Sequence, residues 1–531
     1  MTEQADYIIV GGGSAGCVLA DRLSENGRHR VLLIEAGGAG RHPSFHIPVG
    51  YVENRHHPRG NWLYRTEPEA GTANRALPWP RGKVLGGCSA INGLLYIRGQ
   101  AQDYDHWRDL SNGGWGWDDL LPYFIKSEDQ ARGSSPLHGT GGPLHISDPS
   151  QRHPLSDAFI QAAEQWGLKA NDDFNGPTQD GAGYFQITVK NGRRQSTAVA
   201  YLKRARHRPN LRILTHALAE RLILEGNRAV GLRYSRHGQI AEIRATREVI
   251  VAAGAVNSPQ LLQLSGIGPA ELLRSHGIKV IRDLPGVGAN LQDHYIVDLK
   301  YRVAGAVTVN EQTRGPRLVW EVLKYLATRK GLLSMSAAHV SLFLSSQAGL
   351  DRPDLQFHYL PATLDSRTNE VERLPGITLG PCQLRPDSRG SIQIASADPR
   401  RAPLIRPRYL EAETDQRVVV QALKIGRAIA AQPVLAPYLK DEISPGGALT
   451  SDAELLDFAR SHGRTLYHPA GTCRMGTDAD AVVDAALGVR GIGGLRVVDA
   501  SIMPTLISGN TNAPVIAIAE RAADLILAQT A

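Results

Sequence analysis

The sequence predicts an α/β fold in which a dinucleotide-binding unit is interleaved with an α+β domain built on an antiparallel sheet. Three observations carry this reading. An apolar run, a glycine cluster, an amphipathic stretch and a second apolar run closing in an acid follow one another within residues 6–35. Short strand-like runs with turn residues between them crowd residues 211–255. Further helical and strand-like periods occupy residues 301–431. At 531 residues the chain is long enough for two or more domains.

Asp6-Tyr7-Ile8-Ile9-Val10 is short, apolar and β-branched, as a buried parallel strand requires. Gly11, Gly13 and Gly16 follow in G-x-G-x-x-G spacing. Gly11 permits the tight turn, Gly13 lets backbone approach a pyrophosphate, and Gly16 lets helix pack on strand. Ser14 to Asn26 carries Ala15, Val18, Leu19 and Leu23 at helical intervals, and Gly27 ends the run. The free N–H groups at the start of that helix face the phosphates. Arg30 to Ile34 is the second strand, and Glu35 lies where a carboxylate accepts from both ribose hydroxyls. An acid there disfavours a 2′-phosphate, which selects FAD or NAD over NADP. Gly12-Gly13-Ser14-Ala15-Gly16 also fits the G-x-S-x-G elbow of hydrolases, but only one strand precedes it to build the sheet an elbow needs.

Residues 36–80 lose periodicity and gather Gly, Pro, His and Trp, which reads as a long loop. Its His56-His57 pair has no H-E-x-x-H partner pattern, and no metal site is expected. Gly82 to Gly93 pairs adjacent glycines with small neighbours, suited to close backbone approach to a flat ligand. Leu155 to Trp166 is helical and stopped by Gly167, and Tyr184 to Val189 alternates like a strand. Lys203 to Arg208, the densest basic run, is read as the C-terminus of a helix beginning near Ser196-Thr197, where cations are favoured. Without interleaved aromatics it does not suggest nucleic acid.

Leu211–Leu214, Glu220–Leu224, Ala229–Tyr234 and Ile240–Ile243 predict a β-meander. Glu248 to Ala255 is a buried strand entering a small-residue turn, and Ser258-Pro259 is expected to start a helix as cap and first residue. Helices near 319–328 and 416–431 and a strand near 355–359 complete the coarse reading.

Composition fits a soluble globular protein: 42% hydrophobic and 21% charged. The excess of 59 bases over 52 acids is small for this length and gives no reason to expect a nucleic-acid partner. Cys17, Cys88, Cys382 and Cys473 form no C-x-x-C pair, so neither zinc nor a disulfide framework is indicated. The N-terminus lacks a basic and apolar leader pattern, and no stretch of 18 apolar residues exists. A cytoplasmic location without a transmembrane segment is expected, with peripheral contact to the inner membrane as the alternative.

Several separated segments together resemble the glucose–methanol–choline (GMC) oxidoreductases. Gly82 to Gly99 is similar to that family's first signature and Gly254 to Gly268 to its second. Val287 to His294 is also family-like, and Tyr467 to Thr472 with Gly509 to Pro514 resemble its C-terminal active-site pair. The similarity covers essentially the whole chain and leans to bacterial choline, alcohol and sorbose dehydrogenase-like members. It implies FAD, with Gly11, Gly13, Ser14, Ala15, Gly16, Glu35 and Ala36 on the ADP half. Ala219 would meet adenine through its backbone. Asp499 and Ala500 would hold the pyrophosphate and ribityl end. Gly87, Asn92, Gly93 and Leu94 would line the flavin, with Thr511 and Asn512 at the final helix. Cys88 departs from the usual Gly, Ser or Thr without changing size much. Ile91 replaces the histidine through which some members attach FAD, so non-covalent FAD is expected.

The resemblance further implies a Rossmann-like FAD-binding domain from residues 1–155, 195–300 and 473–531, and a substrate domain from 156–194 and 301–472. The implied reaction oxidises an alcohol to an aldehyde or ketone. His468 is the expected general base, because imidazole is matched to neutral pH. Asn510 orients the substrate oxygen. The N-terminus of the helix at Asn512-Ala513-Pro514, with Pro514 near its first position, offers positive potential to the reduced flavin. The electron acceptor is oxygen or an external carrier such as a quinone or cytochrome; Leu466, two residues before His468, inclines the reading to a dehydrogenase. Choline as substrate and a hydroxynitrile lyase activity are the alternatives, and a fatty-acid photodecarboxylase would not call for His468.

Overall fold

The computed structural model describes residues 4–111, 113–365 and 370–529. Two sheets organise it, and their elements run in chain order as follows. The chain opens with β1 (Gln4–Val10), α1 (Ser14–Ser24), β2 (Val31–Ile34), α2 (Pro154–Trp166) and β3 (Gly181–Tyr184). Then come β4 (Leu211–Leu214), β5 (Ala217–Glu225), β6 (Arg228–Arg236), β7 (Gln239–Val251) and α3 (Gly254–Leu264). β8 (Tyr295–Ile296), β9 (Leu299–Val303), α4 (Gly315–Thr328), β10 (Val340–Leu344), β11 (Leu355–Leu360) and β12 (Gly376–Gln383) follow. The last are α5 (Glu413–Ala430), β13 (Leu439–Ser444), β14 (Arg464–Thr465), β15 (Leu495–Val497) and α6 (Asn512–Ala528).

The first sheet has the order β4-β2-β1-β7-β6-β5, with β15 also pairing β7. Its β4, β2, β1, β7 and β15 pairings are parallel. β5, β6 and β7 form an antiparallel meander, but Leu211–Leu214 (β4), expected to open it, instead pairs parallel with β2 at the other edge of the sheet. Strand β7 joins the two parts: its end nearest α3 lies in the parallel layer while its start completes the meander. Strands β2 and β15 are buried throughout and β1 and β7 at their ends nearest the cavity, as strands covered on both faces must be. Helices α1 and α6 pack together, and Arg22 of α1 bonds Glu520 of α6 inside that contact. The second sheet is antiparallel, in the order β13-β9-β12-β11-β10-β3, with β8 bridging β12 and β14. Helix α5 lies on it so closely that a Cβ on Gly426 would sit 2.4 Å from Leu299.

Three further local expectations are corrected. The strand expected over Tyr184–Val189 is instead Gly181–Tyr184. The alternating segment beyond it is a fully buried connection, with Phe185 and Ile187 in a side core, so its apolar residues report burial and not pleat. Helix α3 starts at Gly254, four residues before Ser258, and Pro259 lies inside it. The proline cannot donate to the carbonyl of Ala255, and the Thr472 hydroxyl donates to that oxygen instead at 2.6 Å. Pro514 is the third residue of α6, whose first is Asn512. The basic run does end a helical segment, Ala198–Leu202 continuing as Lys203–Ala205. Arg204 and Arg208 reach Asp21 of α1, so the run is tied into the fold. Residues 1–3, which carried part of the leader reading, lie outside the described residues.

Candidate active site

One elongated cavity contains nearly every residue singled out in the sequence. Gly11, Gly13, Ser14, Ala15, Glu35, Ala36 and Ala219 line one end. Gly87, Asn92, Gly93 and Leu94 line its middle, and His468, Asn510, Thr511 and Asn512 stand with Asp499 and Ala500 along the remaining wall. Gly16 does not line it. A Cβ there would lie 1.8 Å from the carbonyl oxygen of Gly11, so Gly16 acts by letting α1 close on the turn.

The dinucleotide end is built from helix starts and a buried acid. Gly11 has φ +105° and the backbone of Ala252 fills the space a side chain would need. Glu35 accepts from the Gly12 N–H at 2.9 Å and the Gly37 N–H at 2.7 Å. Burial pushes its carboxyl up to about 7. Ser14 at the start of α1 donates to Asn512 at the start of α6 at 2.9 Å, which brings two helix N-termini to one cavity. Gly87, at φ +52°, approaches Gly13 so closely that a Cβ would be 2.6 Å from the Gly13 Cα. Asp499 carries more scaffold than expected. Its carboxylate accepts from the Gly254 N–H, the Ser258 hydroxyl and the Ser501 N–H at 2.5–2.8 Å, fixing the start of α3.

At the other end the pairing of β8 with β14 sets His294 opposite the turn that carries His468. Leu466 donates its N–H to the His294 carbonyl at 2.8 Å. The His468 N–H donates to Asp293 at 2.7 Å, and that carboxylate also accepts from Thr465 and Tyr409. Tyr467 between them holds φ +71°, a strained backbone of the kind that persists where surroundings over-determine it.

The two imidazoles are perpendicular, with Nδ1 facing Nδ1 at 2.9 Å. His294 Nε2 lies 2.8 Å from the Leu384 carbonyl oxygen, which only accepts. Nε2 of His294 therefore carries its proton, and its Nδ1 is an acceptor. His468 must donate from Nδ1, which leaves Nε2 unprotonated and able to accept. Asn510 Nδ2 sits 3.2 Å from that atom. Burial, reinforced by His294, His358 and Arg81, holds His468 well below the usual imidazole range, and burial brings His294 down to about 4. Both rings are neutral at pH 7, and His468 presents an unprotonated nitrogen to the cavity.

Sequence reading brought together His468 and Asn510 and overlooked Asp293 and His294. The signal was present: these two end the family-like stretch Val287–His294, but they lie more than 170 residues from His468 in sequence. Among the described residues no cluster of His, Cys, Asp or Glu suits a metal.

Two family models described as GMC oxidoreductase match residues 5–296 and 386–519. The chain belongs to the GMC oxidoreductase family. It is 45% identical to the alcohol dehydrogenase [acceptor] of Pseudomonas putida, over 98% of this chain and 95% of that one. It is 42% identical to the mitochondrial choline dehydrogenase of Mus musculus, over 99% of this chain and 89% of that one. Among solved structures, the pyridoxine 4-oxidase from Mesorbium loti superposes with a TM-score of 0.90 at 36% identity, covering 98% and 99% of the two chains. A formate oxidase superposes with a TM-score of 0.92 at 27% identity, covering 100% and 99%. This GMC oxidoreductase is a flavoprotein that uses FAD and acts on the CH–OH group of an alcohol. The cavity fits that cofactor: glycine backbone and helix starts at the phosphate end, an acid at the ribose position, and a small-residue middle at Gly87 and Gly93 where side chains would collide. Ile91 in its wall offers no nucleophile, in keeping with non-covalent FAD.

Proposed function

We propose that this GMC oxidoreductase is a dehydrogenase of uncharged alcohols with His468 as its general base. The carrying observation is the Leu384–His294–His468–Asn510 chain, which leaves one unprotonated nitrogen at the cavity wall. When bound, FAD supplies the hydride acceptor. His468 Nε2 takes the hydroxyl proton. The positive charge that then appears on His468 is shared with His294 through the Nδ1–H···Nδ1 bond. Asn510, whose Oδ1 lies 3.4 Å from Gln356 Nε2, presents its amide donors to the substrate oxygen as negative charge grows there.

His294 is thus a positioning residue. His294→Leu is expected to keep FAD and to slow alcohol-driven flavin bleaching by about 10–100-fold, the usual weight of a partner that orients a functional imidazole. Anaerobic stopped-flow absorbance measures this, and an unchanged rate would remove His294 from the account.

The substrate class follows from the charges on the cavity wall. Its acids are Glu35 at the ribose position and Asp499, whose oxygens are committed to backbone and Ser258. Its other charged groups are Arg55, Arg81 and Arg464, while Ile296, Ala338 and Leu466 give it apolar surface. Arg464 is paired with Asp298, the lining rings of Tyr51 and Tyr467 already face Arg55, and that of Trp62 faces Lys83. Among the described lining residues no carboxylate is left uncommitted, so a quaternary ammonium finds neither an open ring nor a free acid, which disfavours choline. Leu466 beside His468 supports an acceptor other than oxygen, such as a quinone or cytochrome. In an anaerobic panel of alkanols, aryl alcohols and choline, the uncharged alcohols should bleach the flavin with kcat/KM at least about tenfold above choline, a small share of what one unpaired charge costs. Air should then restore the colour more slowly than an added quinone. Preference for choline would sink the substrate reading, prompt peroxide formation the acceptor reading, and cyanohydrin cleavage without bleaching would make the protein a lyase.

We also assign residues 1–155, 195–300 and 473–531 to the FAD-binding domain and 156–194 with 301–472 to the substrate domain. Strand membership supports this division away from its boundaries; Tyr295–Ile296 pair in the second sheet. Among the described residues no helix is long and apolar enough to cross a membrane. Peripheral contact with a membrane is the association we favour.

A further inference from the structure

Helix α4 is amphipathic with its polarity reversed. A surface helix ordinarily turns its apolar stripe inward. Here Glu321 is buried at 8% exposure, accepting from the Leu332 N–H at 2.9 Å, and Tyr325 is buried with its hydroxyl donating to the Gly192 carbonyl at 2.9 Å. The apolar residues face out: Trp320 at 66%, Leu326 at 60%, with Val319 and Leu323 between them. Of the eleven large hydrophobic side chains left exposed among the described residues, five belong to this one helix, so the patch is not ordinary scatter.

The flanks are basic. From Glu311 to Lys330 the chain carries Arg314, Arg317, Lys324, Arg329 and Lys330 against Glu311 and the inward Glu321. Arg314 and Arg317 lie at one end of the helix and Arg329 and Lys330 at the other. A 14-residue helix is about 21 Å long, too short to span a bilayer. Apolar side chains pointing outward with cations at both ends fit a helix lying in the plane of an anionic phospholipid surface, its Trp and Leu side chains among acyl chains and its bases at the phosphates. A stable protein interface uses roughly 20–30 residues a side, far more than this single stripe offers.

We propose that the outward face of α4 docks this enzyme on anionic phospholipid bilayers. The proposal rests on the peripheral-association reading above and names the surface. The segment after α4 returns directly to the cavity, where Ala337 and Ala338 form part of the wall, so docking would set the substrate site near the lipid.

The test is flotation of the FAD-loaded enzyme with vesicles of phosphatidylethanolamine and phosphatidylglycerol, and with phosphatidylcholine vesicles as control. Wild type should float with the anionic vesicles. A Trp320→Ser, Leu323→Ser double variant should lose at least about tenfold in partition while keeping its FAD and its activity on soluble alcohol. An Arg329→Gln, Lys330→Gln variant should weaken on anionic vesicles alone. Equal flotation of the Trp320/Leu323 variant would overturn α4 as the docking surface and leave the peripheral reading standing. Failure of wild type to float would overturn both. A lipid-free dimer that the same variant splits into monomers would give the face to a second copy and overturn the lipid proposal.

Discussion

Gly16→Ala is expected to give protein without bound FAD. The added Cβ would stand 1.8 Å from the Gly11 carbonyl oxygen and 3.5 Å from Ile9. Neither neighbour is a flexible chain end. Gly11 itself is held by its N–H on the Ile34 carbonyl and by Ala252 packed over it, so the turn has no direction in which to yield. Helix α1 must leave β1, and the N–H groups that face the phosphates move with it. Gly27→Ala is the control: nothing lies within 4 Å of its Cβ, and only its φ of +72° opposes the change. That costs about 1–2 kcal/mol and leaves the cofactor site intact. The flavin-to-protein absorbance ratio and the melting temperature check both. Full flavin content in Gly16→Ala would show that the turn tolerates what the geometry forbids.

The second large effect is on rate. His468→Ala should retain the fold and the yellow colour, because the backbone N–H of residue 468 keeps its bond to Asp293 whatever the side chain. Alcohol-driven flavin reduction should fall by roughly 10²–10⁴, the contribution of one general acid–base group. Asn510→Ala should fall less, since it removes an orienting donor and leaves the proton acceptor. Asn510→His should retain activity in part, since an imidazole there can still donate to the substrate oxygen. Colourless or insoluble His468→Ala protein would make the residue structural.

Much of this site was legible before the fold was known. The G-x-G-x-x-G turn, the acid at Glu35 and the glycine pair at Gly86-Gly87 act through backbone geometry that short sequence spacing dictates. The cofactor end could therefore be read locally. His468 and Asn510 were legible only through the resemblance, because nothing in their neighbours forces them together. His294 was not legible at all in its role. Its meaning depends on a carbonyl at Leu384 and a ring at His468, contributed by three segments that meet only when β8 pairs with β14. The start of α3 was misplaced for a similar reason. Ser258-Pro259 carries a helix-start signature, but the Thr472 hydroxyl and the Asp499 carboxylate, both remote in sequence, satisfy the groups that would otherwise end the helix there. The inverted face of α4 escaped because periodicity reports a stripe without saying which way it points.

Single-turnover flavin reduction, followed anaerobically in wild type and His468→Ala at saturating uncharged alcohol across neutral and alkaline pH, tests the central claim most directly. Wild type should hold a level rate, because burial and its neighbours hold His468 well below the usual imidazole range and it is unprotonated throughout. The variant should be slower by about 10²–10⁴ at pH 7 and should recover as hydroxide rises to replace the missing base. A variant that bleaches its flavin at the wild-type rate at every pH would contradict the assignment of His468 as the base.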